Sequence, residues 1–253
     1  MSASPGFIWG MAMDSEARKE VLLSTLKLRS GYGGKPVLQG IDMDVREGEI
    51  VAVIGRNGVG KSTLMKTLIG LLPPTEGTVV FRGEDVSTMV AHRRARLGIG
   101  YVPQGRDVFP RMSVEENLKV GEMIGGRIGP DDYARVYATF PILAERRHQQ
   151  AGTMSGGQQQ QLAIGRVMIS SPSLILLDEP SEGIQPSIVQ DIARTIVDLN
   201  RRTDVTIVVV EQNLDMIRAM AQRCYVMDKG RIVATLDRAA LDDQAEMRRH
   251  LAV

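Results

Sequence analysis

Apolar positions along the chain switch between two periods. Ile50-Val51-Ala52-Val53-Ile54, Leu174–Asp178 and residues 205–210 are short, nearly continuous apolar runs, as strands buried on both faces require. Between them, apolar residues return at helical spacing: Leu64, Leu68 and Leu71 after the first run, and Ile188, Ile192, Ile196 and Leu199 after the second. Residues 21–28 and 36–45 read as strands joined through Gly31-Tyr32-Gly33-Gly34, which puts Tyr32 on a loop. Residues 77–82 and 99–102 read as further strands, with a helix across 86–96 between them. From Ser113 to Gln150 the pattern turns helical and polar; Ser113-Val114-Glu115-Glu116 offers a capping-box start, and Gly125-Gly126, Gly129-Pro130 and Pro141 are breaks. Another helix begins near Ser155, and the glutamines at 158–161 form one of its polar turns. Strands alternating with helices predict an α/β fold, a mainly parallel sheet with helices on both faces. An N-terminal antiparallel β region and an inserted helical subdomain at about 105–170 complete the expected architecture.

The loops between these elements carry the chemistry. Gly55-Arg56-Asn57-Gly58-Val59-Gly60-Lys61-Ser62 has the form G-x-x-x-x-G-K-[ST] between a buried strand and a helix, the context a phosphate-binding loop needs. Its glycines let backbone N–H groups turn inward around phosphates, Lys61 supplies a mobile cation, and the Ser62 hydroxyl can ligate magnesium. Asp178 ends an apolar strand, so its carboxylate emerges at the C-terminal edge of the sheet, where nucleotide sites form. There it can hold the same magnesium ion opposite Ser62. Glu179, one residue later, is placed to orient and deprotonate an attacking water. These parts make a nucleotide phosphoryl-transfer site with Mg2+; ATP as the nucleotide follows only from the resemblance given below.

Composition adds limits. Thirty-one basic against thirty acidic residues leave a net charge of +1, so no global basic field points to nucleic acid. The single cysteine, Cys224, lies in the apolar stretch Cys224-Tyr225-Val226-Met227, reads as a buried small hydrophobe and suits a reducing cytoplasm. No run approaches the roughly 18 apolar residues of a membrane span. Residues 1–20 read as a disordered extension whose apolar patch, 7–13, lacks a basic leader, with Met11 or Met13 as an alternative start. His92, His148 and His250 all fall in polar segments.

The motifs in this order resemble the ATP-binding cassette (ABC) family of transporter ATPases across residues 21–253. The distinguishing mark is Ser155-Gly156-Gly157-Gln158, a signature that in the family acts on ATP held by the other subunit. A helix N-terminus there suits a γ-phosphate. The resemblance implies further contacts. Tyr32 would stack on adenine, and Thr63 would join the phosphate loop in holding nucleotide. Gln104 would sense the nucleotide and its metal, and Gln212 would occupy the switch position. It also implies a second cassette subunit, as heterodimer or homodimer, two transmembrane permease subunits and, indirectly, a solute-binding protein. That would place the chain at the cytoplasmic face of the inner membrane.

A narrower likeness rests on Tyr101-Val102-Pro103-Gln104-Gly105-Arg106, Val108-Phe109-Pro110, Glu115-Glu116-Asn117-Leu118, Gly165-Arg166 and Val210-Glu211-Gln212-Asn213. These are similar to the second ATPase of branched-chain amino acid importers. The phosphate loop together with Glu182-Gly183-Ile184-Gln185-Pro186-Ser187-Ile188 resembles the branch serving urea and short amides. Two features depart from the general pattern. The segment after Glu179, Pro180-Ser181-Glu182-Gly183-Ile184, lacks the aspartate usual at the dimer-crossing loop, part of whose role Ser181 can keep, and Gln212 stands where the switch is commonly histidine; glutamine can donate an amide N–H but cannot carry imidazolium charge. The alternatives are a non-transport cassette and a regulatory cassette that binds ATP with little hydrolysis.

Overall fold

The computed structural model describes residues 19–124, 128–243 and 249. Residues 1–18 of the expected 1–20 extension, the Gly125-Gly126 break and His250 lie outside the described residues, while the Glu20 carbonyl accepts from Glu47 N–H.

Two sheets form the scaffold. β1 (Val21–Tyr32), β2 (Lys35–Arg46), β4 (Glu76–Phe81) and β5 (Glu84–Asp85) make an antiparallel sheet in the order β2-β1-β4-β5. β1 and β2 turn over at Gly33 and Gly34, whose φ values of 56° and 77° suit a two-residue hairpin. The second sheet runs β10-β9-β3-β8-β7-β6, comprising β3 (Ile50–Ile54), β6 (Ile99–Val102), β7 (Leu174–Asp178), β8 (Thr206–Glu211), β9 (Arg223–Asp228) and β10 (Arg231–Leu236). Its pairings are parallel except for the edge hairpin β9–β10.

The apolar strands work because their two faces feed two cores. Ile50, Ala52 and Ile54 of β3, with Ile175, Leu177, Ile207 and Val209, face the helical side of the molecule. Val51 and Val53, with Leu174, Leu176, Val208 and Val210, pack towards helix α1 (Lys61–Ile69) and the antiparallel sheet. A strand between two such layers has no polar face to show, hence the continuous runs in the sequence.

After α1 comes α2 (Ala91–Arg96); between β6 and β7 lie α3 (Val114–Gly121), α4 (Pro130–Thr139), α5 (Pro141–Glu145) and α6 (Gly156–Met168). Ser113 and Glu116 form the expected capping box on α3. Gly121 lets α3 meet α6 closely: a Cβ there would lie 2.2 Å from the Arg166 carbonyl oxygen. These helices share one apolar cluster with the sheet face, through Leu118, Val136, Leu143 and Leu162. α7 (Pro186–Thr203), α8 (Leu214–Met220) and α9 (Arg238–Asp242) complete the chain, and Ile192, Ile196 and Leu199 of α7 are buried as their spacing requires.

The structure corrects several local readings. Tyr32 is the last residue of β1, paired with Lys35, and not a loop residue. α1 stops at Gly70, so Leu71 is 59% exposed rather than part of the helix face. The helix expected over 86–96 begins only at Ala91, because Arg94 is fully buried and organises the preceding turn. Its guanidinium donates to the carbonyls of Thr67 and Leu68 at the end of α1 and to those of Ser87 and Met89. That arrangement gives the helix-end carbonyl of Leu68 a donor and adds a second one to Thr67, whose carbonyl also accepts from Gly70 N–H. β9 and β10 went unread in the sequence, although Cys224 is buried as expected, its thiol pushed up to about 12 by desolvation. His92 and His148 are exposed.

Candidate nucleotide site

Residues 55–60 leave β3 and enter α1 through backbone that glycine alone adopts without strain. Gly58 has φ 82°, and Gly60, the residue before α1, has φ 112°. A Cβ on Gly58 would meet nothing within 4 Å, so the loop is open on the ligand side. On its other side, Gly55 presses against β9, where a Cβ would lie 2.3 Å from the Met227 carbonyl oxygen. Val59 points into the core, and its carbonyl accepts from Gly230 N–H. The loop is therefore held from behind and exposed in front.

The pocket of about 350 Å³ in front is lined by Asn57, Gly58, Gly60, Lys61, Ser62, Thr63, Gln104 and Glu179, all expected, and by Val37 of β2, which was not. Lys61 is 4% exposed; its Nζ donates to the carbonyls of Gly55 (2.9 Å) and Arg56 (3.2 Å) and pairs with Glu179 Oε1 at 3.2 Å. Ser62 Oγ donates to Asp178 Oδ1 at 3.0 Å, and the Tyr101 hydroxyl donates to Asp178 Oδ2 at 3.2 Å. Burial raises the Asp178 carboxyl above its ordinary range, and those two hydrogen bonds oppose the shift. Burial likewise raises the Tyr101 phenol.

Glu179 is the meeting point of three loops. Its φ of 47° turns the chain sharply after β7. Gln104 Nε2 donates to Glu179 Oε2 at 3.5 Å, and Gln212 Nε2 donates to Glu179 Oε1 at 3.0 Å and to Asn57 Oδ1 at 2.6 Å. Residues from β3, β6, β7 and β8 thus converge at the carboxyl end of the parallel strands.

Other expected residues lie elsewhere. Tyr32 is half exposed and outside this pocket. Ser155, Gly156, Gly157 and Gln158 also stand outside it, at the start of α6. There Ser155 Oγ accepts from Gln158 N–H and Gln158 Oε1 accepts from Ser155 N–H, a reciprocal cap. The first-turn amides of Gly156 and Gly157 have no acceptor within the helix. Gly157 has a packing reason as well, since a Cβ would lie 2.5 Å from Ile188 Cγ2.

The residue reading missed Glu211, which is 2% exposed at the end of β8. Its carboxylate accepts from the Ser181 hydroxyl and N–H and from Gln212 N–H, and burial raises its pKa. A charged residue closing an otherwise apolar strand was the available signal.

For a divalent cation the donors present are oxygens: the Ser62 hydroxyl and the Asp178 carboxylate, already 3.0 Å apart. Among the described residues no group of three or more His, Cys, Asp and Glu gathers. Few protein oxygens, with substrate phosphates supplying the remainder, is the pattern that suits magnesium.

Comparison with known proteins agrees with this geometry. The family model described as ABC transporter matches residues 38–182, from β2 through the phosphate loop, the α6 start and Glu179. The high-affinity branched-chain amino acid transport ATP-binding protein BraG of Pseudomonas aeruginosa is 45% identical, covering 87% of this chain and 94% of the relative. The probable branched-chain amino acid transport ATP-binding protein LivF of Archaeoglobus fulgidus is 34% identical over 83% of this chain and 90% of the relative. A nucleotide-free ATP-binding cassette from an ABC transporter, 26% identical, superposes with a TM-score of 0.80 over 92% of this chain and 96% of that one. With a phosphate loop, an acidic pair at the end of β7 and a helix-start signature in one P-loop cassette fold, the chain belongs to the ABC transporter family and is one of its ATPases.

Proposed function

We propose that this ATPase energises an importer of branched-chain amino acids or of urea and short amides, driving a separate pair of membrane subunits. The observation that carries the hydrolytic part is the convergence of Lys61, Gln104 and Gln212 on the Glu179 carboxylate. The backbone of residues 55–62 and the Lys61 ammonium would hold the β- and γ-phosphates of ATP. Glu179 would take a proton from the attacking water as its oxygen bonds to the γ-phosphorus and the bond to ADP breaks. Gln212 would turn its amide from Asn57 to the γ-phosphate, and Gln104 would register whether that phosphate is present. Tyr101 would fix the orientation of Asp178. Mg2+, held by Ser62 and Asp178, would neutralise charge on the phosphate oxygens.

Tyr32, at the end of the β1–β2 hairpin, would stack on adenine. Ser155, Gly156 and Gly157 would act on ATP bound by a partner cassette, which accounts for their place outside the pocket. A groove of about 260 Å³ beside the core supports a membrane partner: it is lined by Leu71, Ile69, Ala95, Ile99, Ile124 and Val167, and Leu71 and Ile124 are 59% and 42% exposed. Among the described residues no helix is long and apolar enough to cross a membrane. Attachment at the cytoplasmic face would therefore depend on such a partner.

The solute rests on likeness to BraG, since the ATP site never meets the cargo. The test is to co-purify the chain with its membrane subunits, reconstitute them with their binding protein, and follow ATP-dependent uptake of labelled leucine and labelled urea. Uptake of either one assigns the branch. Uptake of neither, in vesicles that hydrolyse ATP, removes both solutes.

A further inference from the structure

Gly105, Arg106 and Asp107 follow Gln104 with φ values of 82°, 73° and 47°. Two successive non-glycine residues in the left-handed region persist only where the surroundings over-determine them. Here they do. Asn117, fully buried on α3, accepts from Phe109 N–H and donates to the Phe109 carbonyl. The Arg166 guanidinium of α6 lies 5.3 Å from the centre of the Phe109 ring and donates to the Arg106 carbonyl at 3.4 Å. The clamped loop aims the Arg106 side chain at two places at once. Nη2 donates to the Glu182 carbonyl at 2.7 Å. The same guanidinium borders Gly156 and Gly183: an added Cβ would sit 3.3 Å from both terminal nitrogens at Gly156 and 3.5 Å from Nη2 at Gly183.

Those two contacts belong to different functional ends of the chain. Glu182 and Gly183 sit in the turn after Glu179, and Glu182 N–H donates to the Glu179 carbonyl, so this turn moves with the chain's own ATP site. Gly156 opens α6, the end proposed to act on the partner's ATP. Ser181 anchors the same turn from the opposite side through Glu211. We infer that Arg106 is a positioning residue whose guanidinium bridges the turn after Glu179 to the start of α6, so that nucleotide in the chain's own site adjusts the signature it presents to its partner. The inference builds on the reading of Ser155–Gly157 as acting in trans. It assigns to an arginine a cross-site role beside a turn, Pro180-Ser181-Glu182-Gly183-Ile184, that lacks the aspartate usual in the family. A planar fork is needed, because one group must donate to a carbonyl and pack between two glycine backbones.

Hydrogen exchange of the full chain, at dilutions where it remains monomeric, tests this without a partner. Magnesium-free ATP is added, and peptides covering 180–184 and 155–162 are followed in wild type, Arg106→Ala and Arg106→Lys, with thermal melts confirming that both variants fold. In wild type, ATP should change exchange in both peptides, by roughly 2- to 12-fold, the equilibrium worth of one hydrogen bond. In both variants the 180–184 response should remain and the 155–162 response should disappear. A wild type whose 155–162 peptide ignores ATP, or a full response in either variant, overturns the bridge. Failure of the trans reading would show separately, as Ser155→Arg leaving turnover of the assembled transporter unchanged.

Discussion

The two ends of the chain that the proposed mechanism uses are built in opposite ways. The phosphate-loop end is internally balanced: Lys61 is almost wholly buried, its charge is met by Glu179 and two carbonyls, and Asp178 is held by Ser62 and Tyr101. The α6 end is outward-looking. Ser155 is exposed, its side chain and that of Gln158 cap each other, and the amides of Gly156 and Gly157 lead a helix whose dipole favours an anion. One end carries its own carboxylates and cation. The other is a set of helix-start donors with no acceptor within the helix. On the proposed reading, a cassette made this way would gain a complete hydrolytic centre only in a pair.

The sharpest way to break that contrast is Glu179→Gln, which removes the base but leaves the oxygens that receive Gln104 and Gln212 partly in place. Turnover of the assembled transporter should fall roughly 10²- to 10⁴-fold, while affinity for a fluorescent ATP analogue stays near wild type. Undiminished hydrolysis would place the base elsewhere.

Next in size is a pair of substitutions. Ser155→Arg puts bulk and charge where the partner's nucleotide would dock and should nearly stop turnover. Gln212→Ala removes one amide donor at the chain's own site and should cost about 5- to 150-fold at that site, as a hydrogen bond worth roughly 1–3 kcal/mol implies. Single-turnover hydrolysis in the reconstituted complex compares them. If the partner has histidine at its switch, the site completed by Ser155 is the faster one, and the total rate barely registers Gln212→Ala. Equal losses would make the two sites equivalent and Gln212 as effective as histidine.

The smallest effect concerns the frame. Ser181→Ala takes a donor from the buried Glu211 carboxylate and should destabilise the fold by about 1–3 kcal/mol, each kcal/mol lowering the melting midpoint by about 2–4 °C in a chain of this size. Calorimetry checks it. An unchanged midpoint would mean that Gln212 N–H and the Ser181 backbone suffice for Glu211.

Much of the site was legible because its chemistry is local. A phosphate loop needs its glycines, lysine and serine within one turn of chain, and an acidic pair at the end of an apolar strand needs only neighbouring residues. Arg94, Tyr101, Glu211 and Arg106 could not be read that way. Each works through partners 26 to 77 positions removed or through a carbonyl, such as Arg94 on Leu68 and Arg106 on Glu182, and a carbonyl carries no sequence signal. Gly157 shows the converse. It resembles a nucleotide contact by motif, yet Ile188 alone would exclude a side chain there.

The sequence by itself determined the parallel core, since a strand buried on both faces must be apolar throughout, and it determined the residues proposed to meet phosphate, since they lie within one stretch of chain. Only the tertiary structure decided that β9 and β10 extend the sheet, that α2 starts late around a buried arginine, and that Gln104, Gln212 and Lys61 share one carboxylate. Those outcomes depend on which distant backbone groups are left without partners when the layers close, and burial makes each such group find one.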